Sequence, residues 1–308
     1  MKVLLIWLGK MGQFHLKNLL EIKKIKKIYA FDISEKTFKI KDSKINYSTK
    51  IKSFDDKNVD FVDIVAPTQF HFDYLKKYIK QNKNIFIEKP IVSNIDEMKK
   101  IEKTIEKENY TWKIGVGFIE RFNVVSNFLK WKIKEKWEPE LLEIFRYNPW
   151  SDRIWGTNVT TDLMVHDLDL VNYFFDWKDI KFKWKSIEHS SSTILLNVNN
   201  TNITLSSNRI TQQKIRQIKL YYDNLTIIWD LISWKIEMFH KPSEYFSSGW
   251  VNLNISYLVD EKFLQKTNQL KDELDEFVKI ICWWKYINIS DYEAGKNSIY
   301  ILNKLINV

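Results

Sequence analysis

Val3-Leu4-Leu5-Ile6-Trp7-Leu8-Gly9-Lys10-Met11-Gly12 reads as a short apolar strand, a turn and the opening of a helix. From residue 7 the spacing is that of G-x-G-x-x-G, with the first glycine replaced by Trp7. Glycines in this pattern permit a tight turn and a close backbone approach to a pyrophosphate at a helix N-terminus. Asp32 follows 20 residues beyond Gly12, at the end of the next apolar run. An acidic side chain there accepts hydrogen bonds from ribose hydroxyls and repels a 2′-phosphate, which favours NAD over NADP. The turn residues Trp7, Gly9, Lys10, Met11 and Gly12, with Asp32, are therefore candidate dinucleotide contacts. A chance glycine pair and a solvated Asp would give the same letters, so the flanking strand and helix carry the argument.

Working outward, strand-like runs at residues 3–8, 27–33, 60–66, 84–87 and 113–119 alternate with helical patterns at 12–22, 69–81 and 93–109. Ser93-x-x-Asp96 reads as a capping signal for the last of these helices. Such alternation predicts a doubly wound parallel sheet covered on both faces. Beyond residue 118 the texture changes. Helical patterns at 124–136 and 161–175 flank a strand at 140–147, and strands follow at 180–187, 193–199, 202–207, 216–222 and 225–228. Consecutive strands without helices between them predict a large, mostly antiparallel sheet. Helices at 269–282 and 292–306 end the chain. The expected division is a Rossmann domain over residues 1–118 and an α/β domain over 119–308.

Composition bounds the function. Net charge is +9, but only five Arg stand against 43 Lys spread along the chain, a poor footprint for nucleic acid. No apolar run reaches the ~18 residues of a membrane span, and Gly9-Lys10 cut the first run too short for a signal peptide. The single cysteine, Cys282, excludes an intramolecular disulfide and fits a reducing cytoplasm.

Two further strand ends carry chemistry. Ala66-Pro67-Thr68-x-x-His71 and Glu88-Lys89-Pro90 each follow a strand, and ligands of open parallel sheets lie beyond the strands' carboxyl ends. Ordinary readings exist: prolines as strand terminators, Lys89 as one lysine of many, His71 as a surface residue. In the second half, Asp162, His166 and Asp169 have the spacing of one helix face. A carboxylate beside a histidine is the usual means of poising a general base near neutral pH, while a solvated acidic face is the plain alternative. A lone His gives little support for a metal.

Taken in order, the N-terminal turn, Ala66-Pro67-Thr68-x-x-His71, Glu88-Lys89-Pro90, Gly115-Val116-Gly117-Phe118 and Asp162-x-x-x-His166 resemble the Gfo/Idh/MocA oxidoreductases nearly end to end. The resemblance implies a catalytic group of Lys89, Asp162 and His166, a cis Lys89–Pro90 bond, and NAD contacts that include Pro67, Thr68, His71, Glu88 and Lys89. It also implies homodimers or homotetramers. Phe118-Ile119-Glu120-Arg121-Phe122-Asn123, together with Arg146 and Arg153, is similar to the UDP-N-acetylglucosamine 3-dehydrogenases of the family; Val124 stands where a Pro usually follows. This implies a nucleotide-sugar substrate held by Arg121, Arg146 and Arg153. An inositol or other polyol dehydrogenase, and a non-catalytic NAD(P)-binding sensor on the same fold, are the alternatives.

One pair of counts is unusual. Glycine occurs 7 times and tryptophan 13 times in 308 residues, where glycine normally makes up about 7% of a chain. Trp7, Trp155 and Trp283-Trp284 stand where the family pattern has glycine, and Trp112, Trp137, Trp150 and Trp177 fall in expected turns. The pattern points to UGA codons translated as Trp that the native code reads as Gly, with chance substitution as the alternative.

Overall fold

The alternation of apolar runs and amphipathic helices in the first third of the chain folds as a parallel sheet. The computed structural model describes residues 1–54, 57–136, 138–150, 158–175, 180–240, 258–283 and 290–307. Two compact units are present, one of Met1–Phe122 with Asn268–Val308 and one of Asn123–Thr267. The C-terminal helices therefore pack with the N-terminal sheet, whereas the sequence reading had them in the domain beginning at 119. Helical periodicity announces an apolar face but not the surface it covers.

In the first unit, β1 (Lys2–Ile6), β2 (Lys27–Phe31), β3 (Ile45–Ser48), β4 (Phe61–Ile64), β5 (Asn84–Glu88) and β6 (Ile114–Gly117) form a sheet ordered β3-β2-β1-β4-β5-β6. Every pairing is parallel. The order reverses between β1 and β4, so a crevice opens there beyond the strand ends. β3 has no apolar pattern of its own beyond Ile45 and escaped the sequence reading. Helices α1 (Lys10–Glu21), α2 (His71–Lys80) and α3 (Ile95–Lys107) link the strands. α3 starts one residue later than the Ser93 signal implies. Asn94 accepts the Glu97 N–H at 3.0 Å, while Glu97 Oε2 accepts the Ser93 N–H at 2.8 Å.

The second unit begins with α4 (Val124–Lys136) and β7 (Leu141–Tyr147), continues through a π turn (Thr160–Met164) into α5 (Val165–Phe175), and then runs through β8 (Ile180–Ile187), β9 (Ser191–Val198), β10 (Thr201–Asn208), β11 (Ile215–Tyr222), β12 (Leu225–Asp230), β13 (Lys235–His240) and β14 (Leu258–Phe263). Its eight-stranded sheet is ordered β14-β13-β12-β11-β7-β10-β9-β8, antiparallel except for β7 with β10. β7 alternates strictly, with Leu142, Ile144 and Arg146 buried. The opposite face stays partly wet: Trp184 and Leu195 are exposed.

Among the described residues two tryptophans adopt left-handed backbone conformations, Trp7 at φ 75° and Trp234 at φ 63°; the other non-glycine residues of this kind there are Asn82, Asn109 and Asn199. Asparagine visits this region readily, while a bulky side chain there is an outlier. Trp112 and Trp150 are exposed in connecting segments, and Trp283 is exposed beyond the helix Gln269–Cys282. Trp131 and Trp184 lie within α4 and β8, and Trp229 is fully buried in β12. Trp137, Trp155, Trp177 and Trp284 lie outside the described residues.

The last two helices, α6 (Gln269–Cys282) and α7 (Tyr292–Asn307), complete the first unit. On α6, Phe277 meets Phe61 and Phe86 with ring centroids 5.6 and 5.4 Å apart. Phe277→Ala is expected to cost about 3–5 kcal/mol in urea-induced unfolding. A change below about 1 kcal/mol would mean that α6 does not contribute to this core.

Candidate functional site

The turn after β1 carries out three separate glycine tasks. At position 7 the chain turns through φ 75°, and the Trp7 N–H donates to the Phe31 carbonyl at 2.7 Å. At position 9 a Cβ would meet nothing within 4 Å, so the start of α1 is open to a ligand's approach. At position 12 a Cβ would fall 2.1 Å from the Trp7 carbonyl oxygen, so only glycine lets α1 lie this close to the strand end. These are the tight turn, the close approach and the helix–strand contact of a dinucleotide site.

Asp32 buttresses the same turn. It is 3% exposed, with Oδ2 accepting the Leu8 N–H at 2.7 Å and Oδ1 the Ser34 N–H at 2.9 Å. Each carboxylate oxygen has a second lone pair, so these bonds leave acceptor capacity for a ribose. Beside the turn lies a pocket of about 730 Å³ whose lining includes Gly9, Lys10, Lys17, Lys36, Thr37 and Lys39. Four lysines and a helix N-terminus suit a diphosphate. Met11 is half-buried and packs against the core cluster. The residue that does not suit a ligand is Trp7. Its indole stacks on Phe70, centroids 5.3 Å apart, and so bridges the ends of β1 and β4, where the crevice lies.

Pro67 leads into a 3₁₀ turn, Thr68–Phe70, that opens onto α2. His71 departs from its expected role as a cofactor contact. It is 1% exposed, with Nε2 2.7 Å from the Ala66 carbonyl and Nδ1 2.8 Å from that of Pro90. Both nitrogens face main-chain carbonyls, and a neutral ring, with one N–H, donates to one of the two at a time. Burial holds its pKa below the ordinary histidine value, against the pull of the Pro90 and Ala66 carbonyls. Lys89 follows β5 and is half-buried; the Lys89–Pro90 peptide is cis. Glu88 faces inward instead, accepting from His15 Nε2 at 3.1 Å.

In the second unit, Asp162 lies in the π turn and His166 in the first turn of α5, both half-buried. The three do not share one exposed face as the spacing suggested: Asp169 is 2% exposed and belongs to the interior. Arg209, just after β10, is fully buried and donates from Nη2 to Asp162 Oδ2. The expected substrate contact at Arg146 is also corrected. That residue is 2% exposed, and its Nε donates to the buried Asp167 Oδ1 at 2.7 Å. Its inward place on β7 follows from the strict alternation of the strand. Arg121 in the first unit is 6% exposed, its guanidinium 5.7 Å from the Phe118 ring centroid. Arg153 lies outside the described residues. Sequence reasoning missed Arg209, His15 and Asp63, whose partners are 47 or more residues away and leave no local spacing signal. No group of metal-binding side chains occurs among the described residues.

Comparison with known proteins agrees with this geometry. Residues 1–118 match the family model described as an oxidoreductase family with an NAD-binding Rossmann fold, Gfo/Idh/MocA. The N-terminal part of the chain, residues 1–118, is therefore of the Gfo/Idh/MocA NAD-binding kind. It is 21% identical over 293 residues to UDP-N-acetylglucosamine 3-dehydrogenase of Acidithiobacillus ferrooxidans, covering 91% of this chain and 88% of that one. Myo-inositol 2-dehydrogenase of Thermotoga maritima is 26% identical over 188 residues, 56% of this chain and 54% of that one. A solved structure of the Acidithiobacillus enzyme superposes with a TM-score of 0.80 at 19% identity, covering 99% and 96%, a likeness of fold. No helix among the described residues is long and apolar enough to cross a membrane.

In this turn the two glycines should behave oppositely. Gly12→Ala is expected to lose about 3 kcal/mol or more, because backbone cannot yield as a side chain does. Gly9→Ala should lose less than about 1 kcal/mol. Denaturant melts of both variants check the contrast, and equal losses would contradict the geometry of the turn.

Proposed function

We propose that the protein is an NAD-dependent dehydrogenase of a sugar hydroxyl, C3 of a UDP-linked N-acetylhexosamine. The observation that carries the cofactor half is the trio at positions 7, 9 and 12, each meeting the demand of a dinucleotide turn. Likeness to a UDP-N-acetylglucosamine 3-dehydrogenase along nine-tenths of the chain supports the substrate half. NAD would supply the hydride acceptor. His166 takes the hydroxyl proton, Asp162 orients that hydroxyl or His166, and Lys89 stabilises charge developing on the oxygen. Arg209 holds Asp162 in place. Asp32 favours NAD over NADP by accepting from the ribose. Copies associate as a homodimer or homotetramer in the cytoplasm, with the half-exposed sheet face around Trp184 and Leu195 as the contact.

A free polyol such as inositol is the second reading. What favours it is Arg146: with its guanidinium enclosed against Asp167, one cation expected to clamp a diphosphate is withdrawn.

A screen of NAD and NADP reduction over UDP-sugars and polyols decides the substrate. Turnover of polyols alone would replace the nucleotide-sugar reading. Lys89→Ala and His166→Ala should each lower turnover about 100-fold or more with little change in NAD affinity. Unaltered turnover in either would remove that residue from the catalytic group. Asp32→Ala should weaken NAD more than NADP, and a parent enzyme already preferring NADP would overturn the reading of Asp32.

Position 7 belongs to the same reading. A tryptophan there should bind NAD poorly, since its indole occupies the crevice, and Trp7→Gly should restore binding. The native protein carries glycine at this position if UGA is read as Gly. Mass spectrometry of the peptide spanning residues 3–10 from the native host tests this directly. Tryptophan at position 7 would end the decoding idea, and tight NAD binding by that same protein would end the steric one.

A further inference from the structure

One buried charged cluster of the first unit takes no part in the roles above. His15, on the second turn of α1, is fully buried, and its Nδ1 lies 2.9 Å from Asp63 Oδ2. Its Nε2 lies 3.1 Å from Glu88 Oε1. Asp63 sits on β4 and is fully buried; Glu88 ends β5 with a side chain 13% exposed. Glu88 Oε2 in turn accepts the Lys89 main-chain N–H at 3.3 Å. Space for the carboxylate comes from Gly117, where a Cβ would fall 2.9 Å from Glu88 Oε1.

We propose that His15 and Asp63 are positioning residues that orient Glu88 and, through it, the main chain of Lys89. This rests on the reading of Lys89 as catalytic.

Burial raises the Asp63 pKa, but as a carboxylate Asp63 offers the ring both an acceptor and a counter-charge, which the two carbonyls beside His71 do not. A neutral imidazole has one N–H, yet both nitrogens of His15 face carboxylates, so satisfying both takes the doubly protonated form. Asp63 and Glu88 are the charged groups that face the ring; Phe86 packs beside it, centroids 5.9 Å apart. Burial opposes the charge, but Asp63, by proximity and hydrogen bond, and then Glu88 push the His15 pKa up to about 10. The imidazolium therefore persists through neutral pH and above. Apolar side chains would fill this space with less desolvation, and what they would not supply is direction. The cluster gives Glu88 a fixed donor on its inner oxygen, which leaves the outer one to the Lys89 N–H.

The test has a spectroscopic and a kinetic arm. In the free protein, ring nitrogen NMR shifts of His15 should stay those of an imidazolium up to about pH 9. In Asp63→Asn the ring should titrate at lower pH. With NAD and the sugar found to turn over, His15→Gln should lower kcat about tenfold or more at every pH, with KM and NAD affinity within about twofold. Asp63→Asn should lose kcat at neutral pH and regain it as the pH falls through the new His15 pKa. A purely structural role would lower stability in both variants without that recovery. A His15 titrating near 6.5 in the parent protein overturns the proposal, as does Asp63→Asn with the parent's kcat and pH profile. Should Asp63→Asn not fold, the parent NMR titration and His15→Gln still decide. Unaltered turnover in Lys89→Ala would instead fault the reading of Lys89, and leave the charge of His15 as measured.

Discussion

The Trp7 carbonyl occupies the space a side chain on residue 12 would need, and much of the first unit depends on that contact. Because Gly12 has no Cβ, α1 settles directly against the end of β1. Its inward face then carries Gly12, His15, Leu16 and Leu19, the i, i+3, i+4 and i+7 positions of one helix face. Leu16 and Leu19 enter the apolar core beside Val3, Leu5 and Phe61. His15 enters at the same depth and finds Asp63 and Glu88 there. A helix held farther out would bury neither set. One missing methyl group thus governs both the packing of the sheet and the charged contact beside Lys89. Gln13 fixes the helix in azimuth, donating to the carbonyls of Leu8 and Thr37 at 2.9 and 2.7 Å.

The second unit solves its own problem, a helix of mixed polarity on a broad sheet, with buried ion pairs. Arg146 on β7 meets Asp167 on α5, and Arg209 beyond β10 meets Asp162 in the π turn. Ser207 adds a hydroxyl to Asp167 at 3.4 Å. Removing one partner of such a buried pair typically costs about 3–5 kcal/mol, since the other is left without its counter-charge. Two arginines from neighbouring parts of the sheet thereby set the rotation of the segment that carries Asp162 and His166. A π turn adds about one residue to a helical circuit, so it shifts Asp162 around the axis relative to the α5 residues His166 and Asp169.

Much of this was legible in advance because it is written locally. Strand, turn and helix at residues 3–22 follow from periodicity and two glycines, and strict alternation marks β7. What escaped depended on distant partners. β3 offers a single buried residue, Ile45, and acquires its strand character from pairing with β2. α6 carries an apolar stripe that fits either unit until Phe277 meets Phe61 and Phe86. The family resemblance puts Arg146 at the substrate; the alternation of β7, taken literally, already places it beside Leu142 and Ile144. Glu88 was assigned to the cofactor on the strength of its motif, and only His15, 73 residues earlier, shows why it turns inward. His71 likewise faces two carbonyls that no spacing rule connects.

The backbone at Trp7 is dictated by its neighbours and not by its side chain. The Trp7 N–H is held by the Phe31 carbonyl and the next N–H by Asp32, so a return to negative φ would break both contacts with the second strand. An L-residue held in the left-handed region loses about 1–2 kcal/mol, and at Trp234 the same strain recurs in the turn between β12 and β13. Glycine removes the strain at both places. Trp229 tests the idea from the other side, because a uniform change of decoding replaces it too. Its indole fills the interior against Phe128, centroids 5.9 Å apart, and glycine would vacate that volume. Yet the buried Trp229 indole N–H has no hydrogen-bond partner among the described residues, a loss of about 1–3 kcal/mol that buried tryptophans normally avoid. Volume is what the indole contributes there, and the half-buried Phe128 on α4 faces the space that glycine would leave.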